Sequence, residues 1–186
     1  MIRFRFDEEK AIAAVLYVCH RLLESRNYNS KPGFHKIFKV LYFADQKHLA
    51  RYGRPISGDY YVAMEHGPVP SSIYDILKLV RGESLFGDDK EYRELFEVQG
   101  HNVHPKQQPD LDLLSESDLE CLDESIKENR LLSFGTLKNK SHDTAYCKAA
   151  KDDKISFNEM AKVGGANSSM LSYIREVSEN ERLLDE

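Results

Sequence analysis

The sequence predicts a mainly α fold of the α+β type: a single compact helical domain with a small antiparallel β-sheet or hairpin. Three observations carry this. Apolar residues recur at spacings of three and four over most of the chain, as on the buried stripe of a helix. Strand-like patterns of β-branched and aromatic residues are confined to residues 60–64 and to two short runs flanking Gly100. The 186 residues, 41% of them hydrophobic, suit one domain with its own core, and they show no internal repeat.

In chain order, Asp7 stands where a helix N-cap belongs, with Glu8 and Glu9 favourable in the first turn. Ile12, Val15, Leu16, Cys19, Leu22 and Leu23 form that helix's buried stripe, and His20 beside it takes a structural or solvent-facing role. Residues 27–33, rich in Asn, Ser, Pro and Gly, form a loop too short to link domains. In the next helix Phe34, Ile37, Phe38, Leu41, Ala44, His48 and Leu49 share one side. Val40 and Phe43 widen the apolar face, so this helix is buried on more than one side. Tyr52-Gly53-Arg54-Pro55 stops it, because Gly suits a left-handed C-terminal residue and the residue before Pro is pushed out of the helical region.

Ser57-Gly58-Asp59 then turns the chain into a strand with Tyr61 and Ala63 on one face and Tyr60, Val62 and Met64 on the other. In Gly67-Pro68-Val69-Pro70 both prolines fix φ, Val69 is held extended, and Pro70 suits the first position of the next helix. Ser72 and Asp75 have capping-box spacing for that helix, which carries Ile73, Ile76, Leu77 and Val80 and ends at Gly82. Residues 83–90 form a polar loop. The runs 95–98 and 102–104 predict a hairpin that pairs with the strand at 60–64, since a lone hairpin is marginal in water. Residues 105–112 form an exposed connection.

The last third is helical. Ser115 and Asp118 open a helix with Leu119, Leu122 and Ile126 that ends near Asn129, and Ser133 caps a short one through Leu137. Ser156 and Glu159 have capping-box spacing for another, stopped by Gly164 and Gly165, and Met170, Leu171, Ile174 and Val177 suit a final helix. Residues 179–186 are charged and are expected to fray.

A formal charge of −5 and a pI near 5.8 argue against general affinity for nucleic acid. Cys19, Cys121 and Cys147 are widely spaced and odd in number, which suits a reducing cytoplasm and neither a disulfide framework nor a CxxC metal site. No apolar run reaches membrane-spanning length or makes a signal-peptide core. Asp45 and His48, three apart on a helix, together with Asp59 and His66 near rigid turns, invite a reading as a proton-transfer or metal site. Short polar side chains near turns more commonly satisfy backbone groups, so these four are read as structural. His101 and His104 fall on opposite faces of an extended segment and do not share a metal. His142-Asp143 lies near Cys147 in sequence, which does not establish a thiol–imidazole pair. Neither GxSxG, HExxH, a P-loop nor a dinucleotide fingerprint occurs, so no catalytic residue, metal or cofactor is nominated.

Tyr60, Tyr61, Tyr74 and the Pro68-Val69-Pro70 turn offer a rigid amphipathic patch of the kind enriched at protein interfaces, with core packing as the competing reading. Residues 92–109, which include Phe96, Val98 and His101, are more exposed and are expected to choose the partner.

The stretch from Lys39 to Leu77 also carries a resemblance. Its pattern, KxLYxADxxHLxxYGRPIxGDxYxAMxHGPVPxxxYDxL, resembles the central signature of the Panacea domain, the SocA-like antitoxin family of bacterial and phage toxin–antitoxin systems. Leu114-Ser115-Glu116-Ser117-Asp118 and Ser141-His142 extend it, and Tyr146 stands where the family's aromatic is Trp. The resemblance implies one Panacea-like domain over residues 1–186, acting as an antitoxin that binds a cognate toxin protein, with some members delivering the toxin to a cytoplasmic protease as proteolytic adaptors. It also implies a structural signature of Asp45, His48, Gly58, Asp59, His66, Gly67, Pro70 and His142. The alternatives are a small hydrolase-like enzyme using Asp45, His48, Asp59 and His66, and a DNA-binding regulator, which the charge disfavours.

Overall fold

A computed structural model describes residues 2–83 and 90–184. Asp7 caps α1 (Glu8–Leu23), its carboxylate accepting from Lys10 N at 3.0 Å. A short 3-10 turn leads into α2 (Phe34–Tyr52), which closes on Gly53 at φ 77°, a left-handed conformation that favours glycine. β1 (Tyr61–Met64) and β2 (Gly67–Pro70) form an antiparallel hairpin that runs into α3 (Ser71–Arg81). α4 (Lys90–Leu95) precedes a second antiparallel hairpin of β3 (Phe96–Gln99) and β4 (Asn102–Pro105). Five helices follow: α5 (Glu116–Asn129), α6 (Phe134–Ser141), α7 (Thr144–Lys148), α8 (Phe157–Val163) and α9 (Ser168–Leu184). The described residues are thus mainly helical with two small antiparallel sheets.

α2 is the axis of the packing, touching α1, α5, α6, α8, α9 and β2. Its buried residues run all round the helix, so it divides two apolar clusters. Leu22, Ile37, Leu77, Phe96 and Leu122 belong to the one shared with α1, α3, α5 and the second hairpin. Tyr42, Tyr61, Leu137, Met160 and Ile174 belong to the other, shared with β1, α6, α8 and α9. Each large apolar side chain withdrawn from water here contributes roughly 1.5–3 kcal/mol. The chain's two ends are clasped together: Arg3 N donates to Ser178 Oγ at 2.9 Å, and that hydroxyl donates back to Arg3 O at 2.6 Å.

Several expectations change. The hairpin β3–β4 does not pair with β1. Its turn instead binds the start of α2, through Phe34 N to His101 O at 2.9 Å and Val103 N to Pro32 O at 2.8 Å. β1 is occupied on both edges, by β2 and by residues 153–155, where Ala63 N donates to Asp153 O and Ile155 N to Tyr61 O. β2 is a strand because the alternation that sends Ser71 N to Tyr60 O places the nitrogens of Pro68 and Pro70, which carry no hydrogen, on the side away from β1. Pro70 is the N-cap of α3 rather than its first residue, and the box of Ser72 and Asp75 does not form. Ser156 is the N-cap of α8 without a side-chain bond, and Glu159 bridges Lys148 and Lys162 rather than closing a capping box. Ile12 is only half-buried and Leu23 is exposed. Past Glu179, α9 stays helical to Leu184, with Glu181 accepting from Arg5 N. The polar loop expected at 83–90 lies largely outside the described residues.

Ser115 and Asp118 do form a capping box at α5, and Asp118 does more. Fully buried, it also receives Lys10 Nζ at 2.6 Å, His48 Nε2 at 3.0 Å and Arg54 Nη2 at 3.1 Å, tying α1, α2 and the 53–60 connection to α5. Burial alone would raise its pKa, but hydrogen bonds from His48, Lys10 and Ser115 hold it well below the usual carboxylate range. Asp118→Ala should cost about 3–5 kcal/mol, because it leaves buried donors without their anion. Urea denaturation at neutral pH measures this, and a loss under about 1 kcal/mol would contradict it. Because the folded pKa is depressed, this contribution is present above the ordinary carboxylate pKa and is lost as the pH falls below it.

Candidate functional site

The polar residues of the 39–77 stretch do not converge. Asp45 accepts from Ile56 N at 2.7 Å and from the Tyr61 hydroxyl at 2.7 Å, fixing the turn after α2 to the back of β1. His48 points away from it, Nδ1 facing Arg54 O at 2.7 Å and Nε2 facing Asp118. Asp59 caps α3 with both oxygens, accepting from Ser72 N at 3.0 Å and Ile73 N at 2.9 Å. It thus supplies from outside the helix what Ser72 and Asp75 do not. His66 is exposed in the β1–β2 turn and, unlike Asp59, its side chain caps no helix. The set Asp45, His48, Asp59 and His66 therefore shares no cavity. Cys147 Sγ lies near the His142 carbonyl rather than its ring, and His142 instead stacks on Tyr146 with ring centres 4.2 Å apart.

What the fold does build is a groove of about 570 Å³ between the start of α2, the β1–β2 turn, α3, the β3–β4 turn and the start of α6. Its aromatic wall interlocks edge to face. Phe34 meets Tyr74 at 6.1 Å and His101 at 5.8 Å, and Phe38 meets Tyr74 at 5.6 Å. On the opposite rim Phe134, 53% exposed, stacks flat on His35 with centres 3.9 Å apart and takes His66 edge-on at 5.6 Å. Lys39 lies in the floor, 1% exposed, its ammonium donating to Pro68 O at 2.8 Å. Burial pushes its pKa down to about 7. Burial together with the charges of Lys39 and Lys36 pushes His35 down to about 3, so its imidazole is neutral. Gly67, at φ 101°, lets the turn descend onto this lysine, since a Cβ there would sit 2.5 Å from Ser141 Oγ and 2.7 Å from Lys39 Cε.

The structure sorts the residues proposed for partner contact. Val69, Tyr74 and His101 line the groove together. Tyr61, Pro68 and Phe96 are buried and present no surface. Tyr60 is half-buried beneath Lys154 Nζ, 3.6 Å from its ring centre, and Val98 packs half-buried on the larger core. Phe34 and Phe38 were read as core stripe, and Phe134 carried no interface signal beyond an aromatic directly after the helix cap Ser133. A second, polar depression of about 790 Å³ between residues 4–10 and 54–58 has Lys10 and Arg54 on its wall, both already bound to Asp118.

A family model described as antitoxin SocA-like, Panacea domain, matches residues 37–147, more than half of the chain. The chain belongs to this family. No curated protein and no solved structure matches. The matched Panacea span contains both hairpins, α3, Asp118 and Phe134, while α1, α8 and α9 lie outside it. Tyr146, in the position where the resemblance led to an expectation of Trp, donates its hydroxyl to Met64 O at 2.9 Å. Among the described residues no helix is long and apolar enough to cross a membrane, and no three His, Cys, Asp or Glu are grouped to hold a metal.

Asp59→Ala should lower stability by about 1–2 kcal/mol through loss of the α3 cap. His66→Ala should stay within about 0.5 kcal/mol of the parent, both read from thermal melts, since His66 is exposed. Equal losses would contradict the separation of these two residues. For Asp45, burial pushes the pKa up to about 6 against the opposing bonds from Ile56 N and Tyr61. The folded chain therefore holds this proton to higher pH than the unfolded chain, and the associated stability is lost as the pH rises from about 4 toward 6. Asp45→Asn should remove that slope, shifting the stability difference from the parent by up to about 3 kcal/mol between pH 4 and 7. Parallel pH profiles would refute the assignment.

Proposed function

We propose that this Panacea domain is an antitoxin that neutralises a cognate toxin protein in the cytoplasm by direct binding. The family match carries this reading, and two features support it. An aromatic groove stands open on the surface, whereas Asp45, His48 and Asp59, which an enzyme would need, are each engaged in holding turns and helix ends. The partner-contact set is Val69, Tyr74 and His101 with Phe34, Phe38 and Phe134, rather than the buried Tyr61, Pro68 and Phe96. Delivery of the bound toxin to a cytoplasmic protease is a further mode open to the same binding reaction.

Co-production with the product of an adjacent reading frame that is toxic on its own tests the reading. Growth should be restored in proportion to the antitoxin, reaching completion near equimolar amounts. Full protection at a small fraction of the toxin concentration, in a strain lacking the protease, would mean turnover and would overturn sequestration. Pulse-chase of the toxin separates the two modes: a half-life shortened by this chain supports delivery, and an unchanged one with full rescue removes it.

A further inference from the structure

We infer that the aromatic groove is a receptor for an acidic–apolar segment of the partner, with an apolar side chain seated against Phe34, Phe38, Tyr74 and Phe134 and a neighbouring carboxylate reaching Lys39. This deepens the proposed function and rests on its reading that the partner is a protein.

The apolar half of the inference comes from the wall. Phe134 leaves half of its surface in water although it borders a cavity lined by other aromatic rings, and a volume near 570 Å³ holds a few side chains rather than a whole helix face. Amphipathic aromatic clusters of this kind supply anchoring pockets in protein interfaces.

The acidic half comes from the floor. A buried ammonium has three donors and is ordinarily matched by an anion. Lys39 has one bond, to the Pro68 carbonyl, and among the described residues no carboxylate lies within ion-pair reach of it. His35 Nε2, on the groove lining, is also buried without a hydrogen-bond partner. The charges of Lys39 and Lys36 both bear on His35. The groove also opens at the N-terminus of α2, a helix of 19 residues whose cap, Gly33, offers no side-chain acceptor, and that end favours negative charge. Glu65, the one acid on the lining, is exposed and faces water. A carboxylate delivered beside an apolar anchor would favour the charged form of Lys39 that burial alone disfavours, and pair it in a desolvated setting where charge-assisted bonds are strongest. A purely apolar segment would leave it unmatched.

Two fluorescent probes separate the halves: 1-anilinonaphthalene-8-sulfonate, aromatic and anionic, and N-phenyl-1-naphthylamine, aromatic and neutral. Both should bind the full chain. Lys39→Met, which keeps the volume and removes the charge, should weaken the sulfonate by about tenfold and leave the neutral probe within about twofold. Phe134→Ala, at an exposed position that the fold tolerates, should weaken both probes severalfold and serves if Lys39→Met fails to fold. Capped Asp-Leu-Phe-Asp-Leu-Phe should displace the sulfonate better than its Asn-for-Asp twin. Equal sulfonate binding by a folded Lys39→Met, unchanged binding by Phe134→Ala, or equal displacement by the two peptides would each overturn the receptor. Toxin rescue is scored separately. Full rescue by Phe134→Ala would overturn the groove as the partner's site while leaving the antitoxin reading intact. Probe and peptide behaviour as expected, without rescue by the parent chain, would overturn the antitoxin reading and support the groove.

Discussion

A helix so widely buried cannot leave all its polar side chains to water, and α2 carries six that are buried. Each must find a partner in a neighbouring segment, and together those partnerships set where the neighbours lie. Lys36 donates to the carbonyls of Asn129, Arg130 and Leu132, closing the C-terminal end of α5. Tyr42 and Gln46 both bind Asp143, which in turn caps α7 through Ala145 N and Tyr146 N. Asp45 holds Ile56 and Tyr61, and His48 holds Arg54 and Asp118. The apolar clusters on either side of α2 provide the driving force. The polar contacts specify a single arrangement of helices around it, since misplacing any neighbour strands a buried donor or acceptor.

This division explains what could be read in advance. The helices were legible because their stripes, caps and stops are local: Asp7, Gly53, Gly82, Ser115 with Asp118, and Ser133 act within a turn of their own helix. The errors lie where a distant residue does a local job. Ser72 and Asp75 had the spacing of a cap, but Asp59 reached the same backbone groups first, and nothing within α3 announces that. The pairing of β1 was misjudged because its second edge is taken by residues 153–155, about ninety positions away. Asp45, His48, Asp59 and His66 looked alike in the sequence, yet three are buried in separate networks and one stands in the open.

The groove was half visible for the same reason. Val69, Tyr74 and His101 were nominated because they sit on turns or among exposed aromatics, whereas Phe34 and Phe38 were absorbed into a periodic core stripe that they also serve. Phe134 lies 33 residues beyond His101 and 100 beyond Phe34 of the other wall, and joins it through the packing of α6 on α2 and β2. The site and the scaffold therefore share residues. Lys39, in the floor of the groove, also holds β2 through the Pro68 carbonyl, so one side chain serves both the groove and the fold.

The clasp between Arg3 and Ser178 joins positions 175 apart in the chain. A growing polypeptide released from its N-terminus onward has every element of the groove by Phe134, but the cluster around Tyr42 and Tyr61 stays open on one side until Ile174 arrives. Long-range closures of this kind come late in folding. The residues that line the groove thus all precede position 135, whereas the second core cluster needs Ile174 to close.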